Sequence, residues 1–478
     1  MPPLKVGVAK ADITPPVGSK MAGYIQRKRK SKGIHDPLFA KSLYLTDSQS
    51  EAVLVVIDSL ATDQQLVGMV RDQMQRTGLP SKHLNIAATH THSGPSGLAE
   101  LSFGEGYDDD LLELTASQIT GTVRQARNGA FEARLKIGST MIKGLTQNRN
   151  DPAHPIDQQL HVLRIEDKDA RLRAVLANYP CHPTLLGFNN LLISADWPGA
   201  ACSIVERVIN SDVIVIMTNG ASADVHPMYL SQSLQDLKRM GQVLGGAMLT
   251  VLGQLSPLGN MLRAQNSRWG IEIQTHPDYG RQVVRPHVQL QHQRLSLPVK
   301  QFLTKKVYDK TIEDLFHQLR LSGLDDRTLT IIAEGFGCVP LERVKSFNNV
   351  QYDLLARLTA LAGERLERDH ALSESRGCQK QEIDVSLLTI DADLGVLFFP
   401  GELSNRIGLS IKQRAGLRDL IIVSYANNYI GYIVPREEFP KGGYEVGASH
   451  FTDEAEAIVS QGILNLTGER PRRKTGGD

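Results

Sequence analysis

No apolar run approaches the ~18 residues that a membrane-spanning helix requires, so a transmembrane anchor is excluded. The start, Met1 to Val8, passes directly into strand-like sequence without the apolar core of a secretory leader, which indicates a cytoplasmic protein. Cysteine is scarce. Only Cys181, Cys202, Cys338 and Cys378 occur in 478 residues, without a Cys-x-x-Cys pair or dense spacing, which excludes a disulfide framework and leaves reduced thiols with packing roles. Charge of either sign is not in excess, since 53 Lys and Arg face 52 Asp and Glu. That balance provides no broad field for nucleic acid or an anionic membrane, and it suits a neutral or small substrate. The basic cluster Arg27-Lys28-Arg29-Lys30 reads as a solvated loop without a partner. Internal repeats and low-complexity tracts are also lacking, and the stretch from Gly468 to Asp478, without large apolar residues, reads as a frayed tail.

What the chain does have is short aliphatic runs: Ala52 to Ile57, Leu84 to Ala88, Val213 to Met217, Val396 to Phe399 and Leu420 to Val423. Such runs suit strands covered on both faces, with Leu66 to Thr77, Leu111 to Ala126 and Leu234 to Leu252 as amphipathic covering helices. The fold class is α/β, a layered mixed or parallel sheet covered by helices. Polar helical stretches from about Lys300 to Gly377 interrupt it as an insertion, because strand-like Glu382 to Ile390 resumes afterwards. One domain over residues 1–465 and a disordered tail over 466–478 are expected. Each aliphatic run ends in polar residues, and ligands of open α/β sheets bind beyond the carboxyl ends of the strands, so five distant segments are expected to build one cleft.

The richest of these ends is His90-Thr91-His92-Ser93-Gly94-Pro95 after Leu84 to Thr89. Alternation along an extended segment points His90 and His92 the same way, which suits a metal and proton-transfer site. His182, in Tyr179-Pro180-Cys181-His182-Pro183, is a second strand-end imidazole held between prolines. Glu402 arrives at a Pro-Gly turn after another apolar run, and two histidines with a carboxylate suit Zn²⁺ with an open position. The same Glu also suits the start of a surface helix through Ser404 and Ile411. His226, Tyr429 and Tyr432 are further candidates that composition alone does not select.

Taken together, Gly7 to Thr14, Met21 to Tyr24, Gly33-Ile34-His35, Thr89 to Pro95, Asn148-Arg149, Pro400-Gly401-Glu402 and Tyr432 to Ser449 resemble the neutral, non-lysosomal ceramidases over most of the chain. These are zinc-dependent amidases that hydrolyse the N-acyl bond of ceramide. The resemblance implies one catalytic zinc on His90, His182, Glu402 and Tyr432, with His92, Arg149 and Tyr444 around it. His92 would transfer protons, Arg149 would bind a substrate hydroxyl or carboxylate, and Tyr444 would face the carbonyl oxygen. The family's Gly-Asp-Val-Ser-Pro is replaced by Ala223-Asp224-Val225-His226-Pro227, so a serine nucleophile has no support and His226 joins the catalytic candidates. The chain ends soon after Ser449, where family members continue into a β-sandwich domain, so the resemblance bears more on reaction class than on ceramide as substrate. The expected activity is attack of a metal-bound water on a carboxamide of a lipid or small-molecule N-acyl substrate. A smaller amide or ester, or a non-catalytic metal-binding role for the same fold, are the alternatives.

Overall fold

The computed structural model describes residues 3–469 apart from 102–105, 211, 257–279, 335–346, 349, 352, 353, 356, 362, 363 and 365–378. Its larger sheet contains β1 (Lys5–Asp12), β2 (Phe39–Thr46), β3 (Glu51–Ile57), β4 (Leu84–Ala88), β5 (Phe131–Met141), β6 (Gln159–Asp167), β7 (Leu172–Tyr179), β8 (Ile214–Asn219) and β9 (Gly280–Gln282). The order is β8-β7-β6-β5-β1-β2-β3-β4, with β9 added on β5. The smaller sheet runs β10 (Gln289–Pro298), β11 (Lys380–Thr389), β12 (Leu394–Phe398) and β13 (Asp419–Val423). Three pairs are parallel, β3 with β4, β7 with β8 and β12 with β13. The other ladders of both sheets are antiparallel.

The α/β class holds, but the five aliphatic runs divide between two sheets packed face to face. Along β3, Leu54 and Val56 enter a core shared with Val396, Phe398, Ile421 and Val423 of the smaller sheet. The alternate residues Val53, Val55 and Ile57 pack with α1 (Gln64–Arg76) and α2 (Asp109–Asn128). Further along that outer face lie α3 (Asp196–Ile209) and α4 (Leu234–Leu255). The smaller sheet turns Leu397 and Ile422 outward. A continuous apolar run therefore marks burial on both faces, here one by helix and one by the other sheet.

Within the expected insertion lie α5 (Lys305–Leu321) and α6 (Asp326–Glu334), which share a cluster containing Leu315, Leu319, Leu329 and Ile332. The rest of that insertion falls partly outside the described residues, as do residues 470–478 of the expected tail; its first residues do not fit that expectation, since Leu466 and Thr467 are helical and Gly468 O accepts from Gly416 N at 2.7 Å. After β12 come α7 (Asn405–Arg414), α8 (Tyr444–Ala448) and α9 (Ala455–Thr467). Helices α7 and α9 close the outer face of the smaller sheet through Ile407, Ile411, Val459 and Ile463. Cys181 and Cys202 are buried free thiols, and Cys338 and Cys378 lie outside the described residues. Among the described residues, no helix is long and apolar enough to cross a membrane.

The two sheets join at the ends that carry the chemistry. Ala88 N donates to Tyr425 O (3.0 Å), Asn427 N donates to Ile86 O (2.7 Å), and Ser424 N donates to Asn219 O (3.0 Å). Thus β4, β8 and β13 finish against one another, and three ladders of two or three residues beyond them carry much of the site: Gly33–Ile34 with Leu192–Ile193, Thr146–Asn148 with Val225–Pro227, and Glu402–Leu403 with Tyr432–Ile433.

A buried titratable group of β6, opposite Asn178 in the ladder with β7, predicts how stability depends on acid. His161 of β6 is buried with Lys412 Nζ 3.4 Å from its Nε2, and burial followed by the lysine charge pushes the imidazole down to about 3. Between that value and the ordinary ~6.5, the unfolded chain binds more protons than the folded one, so stability falls as pH falls. The effect is absent above ~6.5 and amounts to about 1.4 kcal/mol per pH unit below it for each such histidine. Urea unfolding at pH 7.5 and 5.0 checks this: His161→Leu is expected to flatten the pH slope of the parent by about that amount.

Candidate metal centre

Strand β4 ends at Ala88, and the chain then turns sharply because His90 has φ 69°, a left-handed value rare outside glycine. His90 and His92 do meet, but through this turn rather than through strand alternation. Their Nε2 atoms lie 3.3 Å apart, and the three imidazoles of His90, His92 and His182 form one buried to half-buried group whose ligand nitrogens all lie within 4.8 Å of one another.

Each of the three rings is held by its other nitrogen. His90 Nδ1 donates to Leu60 O at 2.6 Å, His92 Nδ1 to Gly23 O at 2.8 Å, and His182 Nδ1 to Ser222 O at 2.7 Å. A carbonyl only accepts, so the neutral ring carries its proton on Nδ1 and turns the Nε2 lone pair inward. Burial, ahead of the neighbouring imidazoles, holds His92 well below its ordinary value, and burial lowers His90 to about 3 although Glu402 opposes it. His182 Nε2 is buried and has no hydrogen-bond partner among the described residues.

Glu402 is 1% exposed, so it is not the surface residue that a helix start would suit, and α7 begins only at Asn405. Its carboxylate stands 3.7 Å from His90 Nε2 and 3.3 Å from His182 Nε2. Burial alone would raise its pKa, but His90, His182 and the Tyr429 hydroxyl bring it to about 2, so it is ionised. Tyr429 donates to Oε1 at 2.6 Å and Tyr425 to Oε2 at 3.4 Å, while the Tyr425 ring stacks on His90 with centroids 3.9 Å apart. Tyr432 lies opposite Glu402 in the short parallel ladder, with its ring edge-on to Tyr444 at 5.9 Å.

Behind this group Arg149 pairs with Glu445, which is 2% exposed, and Asn150 Nδ2 donates to the same carboxylate at 3.1 Å. Burial opposes the Arg149 charge, but Glu445 and then Tyr432 raise its pKa well above the usual value. Its Nη2 is buried without a hydrogen-bond partner among the described residues, and the guanidinium lies 5.8 Å from the Tyr444 ring centroid. His226 sits in the ladder with Gln147, whose Nε2 donates to His226 Nε2 at 2.9 Å. Burial, followed by Arg149 and His182, lowers His226 to about 4, so the neutral ring carries its proton on Nδ1.

The donor set therefore comprises neutral imidazole nitrogens and one carboxylate, with Arg149 already neutralised by Glu445. Such a set fits a borderline divalent cation such as Zn²⁺. All nine residues singled out from sequence, Tyr429 included, fall in this neighbourhood. Sequence reasoning missed three. Tyr425 and Glu445 were not singled out, and Arg27 had read as solvated. Arg27 is in fact 8% exposed and Lys28 to Lys30 are exposed.

The family model for neutral/alkaline non-lysosomal ceramidase, N-terminal, matches residues 4–258, more than half of the chain. The chain belongs to this ceramidase family. The neutral ceramidase of Pseudomonas aeruginosa is 23% identical over 97% of this chain and 72% of that protein. The Drosophila melanogaster neutral ceramidase is 28% identical over 43% of this chain, and that match spans only 32% of the fly protein. The crystal structure of the P. aeruginosa neutral ceramidase superposes with a TM-score of 0.70 at 19% identity, covering 98% of this chain and 74% of that one. The ceramidase architecture thus extends beyond the matched N-terminal part, through Glu402 and Tyr432.

Gly23 offers a test of how closely the site is packed. Its φ is 101°, and a Cβ built there would lie 2.7 Å from the His92 ring and backbone. Gly23→Ala is expected to lower stability by about 1–3 kcal/mol through backbone strain and collision, measured by thermal unfolding of metal-free protein. An unchanged melting temperature would contradict the packing described.

Proposed function

We propose that this protein is a zinc-dependent amidohydrolase cleaving an N-acyl carboxamide, with ceramide or a related N-acyl lipid as the first substrate class. The reading rests on one observation above all: three imidazoles, each fixed by a backbone carbonyl at Nδ1, turn their Nε2 atoms toward one another beside the ionised Glu402. In this proposal His90, His182, Glu402 and Tyr432 hold one zinc. A bound zinc supplies Lewis acidity to a carbonyl oxygen and lowers the pKa of water.

The chain's own groups then have separate tasks. His92, neutral at its Nε2, takes a proton from water and returns it to the leaving amine. Arg149 directs its unpartnered Nη2 at a substrate oxygen, and because Glu445 cancels its charge it suits a hydroxyl or carbonyl better than a carboxylate. Tyr444 donates to the developing oxyanion, and His226 offers Nδ1–H beside Arg149. An unused buried guanidinium donor favours a substrate contact over an inert metal role.

Separations of 3.3 Å for His90–His92 and 3.3 Å for His182–Glu402 both match neighbouring ligands about a zinc bound at ~2.0 Å. Assigning His92 to proton transfer therefore depends on Tyr432 taking a ligand corner. Elemental analysis of purified protein is expected to give one zinc per chain, lost in His182→Ala and Glu402→Ala. His92→Ala is expected to retain zinc and lose activity by about 10²–10⁴-fold. Loss of zinc in His92→Ala with retention in Tyr432→Phe would exchange the two roles.

Turnover of fluorescent N-acyl lipids is expected to exceed that of a panel of small amides and esters. The reverse ranking would move the substrate to the smaller class while leaving the chemistry intact.

A further inference from the structure

Arg27 is a buried cation whose described hydrogen-bond partners include no carboxylate. Its Nη1 donates to Ala22 O at 2.8 Å and to His92 O at 2.7 Å, its Nη2 to Gly187 O at 3.3 Å, and its Nε to Phe188 O at 3.4 Å. The guanidinium lies 4.8 Å from the centroid of the Tyr24 ring. Tyr24 in turn presents its ring edge to His92 at 5.1 Å and donates its hydroxyl to Leu186 O at 3.2 Å.

Those carbonyls belong to separate pieces of the site. His92 lies in the loop that follows β4 and carries His90, whereas Leu186, Gly187 and Phe188 lie in the loop that follows His182. Between these loops, the direct backbone bond from His92 N to Pro183 O is long at 3.3 Å, and the other ties, Asn190 Nδ2 to Ser93 Oγ at 3.1 Å, Ser194 N to Ser93 O at 3.1 Å and Thr91 Oγ1 to Ser194 O at 2.7 Å, hold residues on either side of His92 rather than His92 itself. Burying a guanidinium costs desolvation free energy that only geometrically well-placed acceptors offset. Its planar fork sets the direction of each bond, so Arg27 fixes where one loop sits relative to the other.

We infer that Arg27 is a positioning residue that locks the His92 loop to the loop after His182, so that the three Nε2 atoms converge before any cation arrives. This inference rests on the metal reading above. Lysine retains the charge but concentrates its donors on one nitrogen, which cannot reach carbonyls on both loops.

The test compares Arg27→Lys with the parent, measuring zinc affinity by competition with a chromogenic chelator and the melting temperature of metal-free protein. The expected result is zinc affinity weaker by about tenfold or more, with a small change in melting temperature. Zinc affinity within twofold of the parent overturns the inference, whatever the melting temperature. A parent that binds no zinc sinks the metal reading itself, which is a separate outcome. If the variant does not fold, hydrogen exchange at Arg27 Nε in the metal-free parent decides. Slow exchange supports the lock, and exchange at the rate of a solvated arginine overturns it.

Discussion

Three hydrogen bonds from imidazole Nδ1 to backbone carbonyls set the geometry of the candidate metal centre. The acceptors, Leu60, Gly23 and Ser222, come from three segments far apart in the chain, and each lies in a loop beyond the sheets. A backbone carbonyl cannot donate, so each bond decides tautomer and ring direction at once. A carboxylate in the same position would have added charge to a pocket already containing Glu402. The arrangement instead leaves one negative group facing three inward-turned Nε2 atoms, with the Arg149 charge absorbed by Glu445.

Bringing those loops together requires unusual backbone. His90, Asp196, Tyr425 and Asn427 all have positive φ, at 69°, 55°, 59° and 67°. For residues with a Cβ such values cost of order 1 kcal/mol or more each, and they persist only where surrounding structure dictates them. Here the two sheets dictate them. Tyr425 turns just where its carbonyl accepts from Ala88 and its ring lies flat on His90, so one strained residue closes the sheet junction and walls the site.

The aliphatic runs announced strands buried on both faces because burial on both sides removes the polar alternation of a half-exposed strand. Nothing in Leu54 or Val396 indicates whether the covering layer is a helix or another sheet, and the face-to-face pair of sheets was therefore invisible. His90, His182 and Glu402 were legible because each follows an apolar run with turn residues beside it. Tyr425 was not, since a tyrosine after a strand has the same local signal whether it packs in the core or hydrogen-bonds a buried carboxylate. Arg27 misled for a related reason. Its neighbours Lys28 to Lys30 are solvated, and a run of like charges conceals the one member that turns inward.

The same hydrogen bonds that orient the imidazoles also make the metal-free pocket uncomfortable. With Nδ1 protonated in His90 and in His92, neither neutral ring has a proton to place between Nε2 atoms 3.3 Å apart, and His182 Nε2 has no donor among the described residues. Burial opposes adding a proton, because an imidazolium there would lose its hydration. A proton is also too small to satisfy three lone pairs and a carboxylate simultaneously. A divalent cation would meet all of them without changing any tautomer, and this supports the metal reading proposed above.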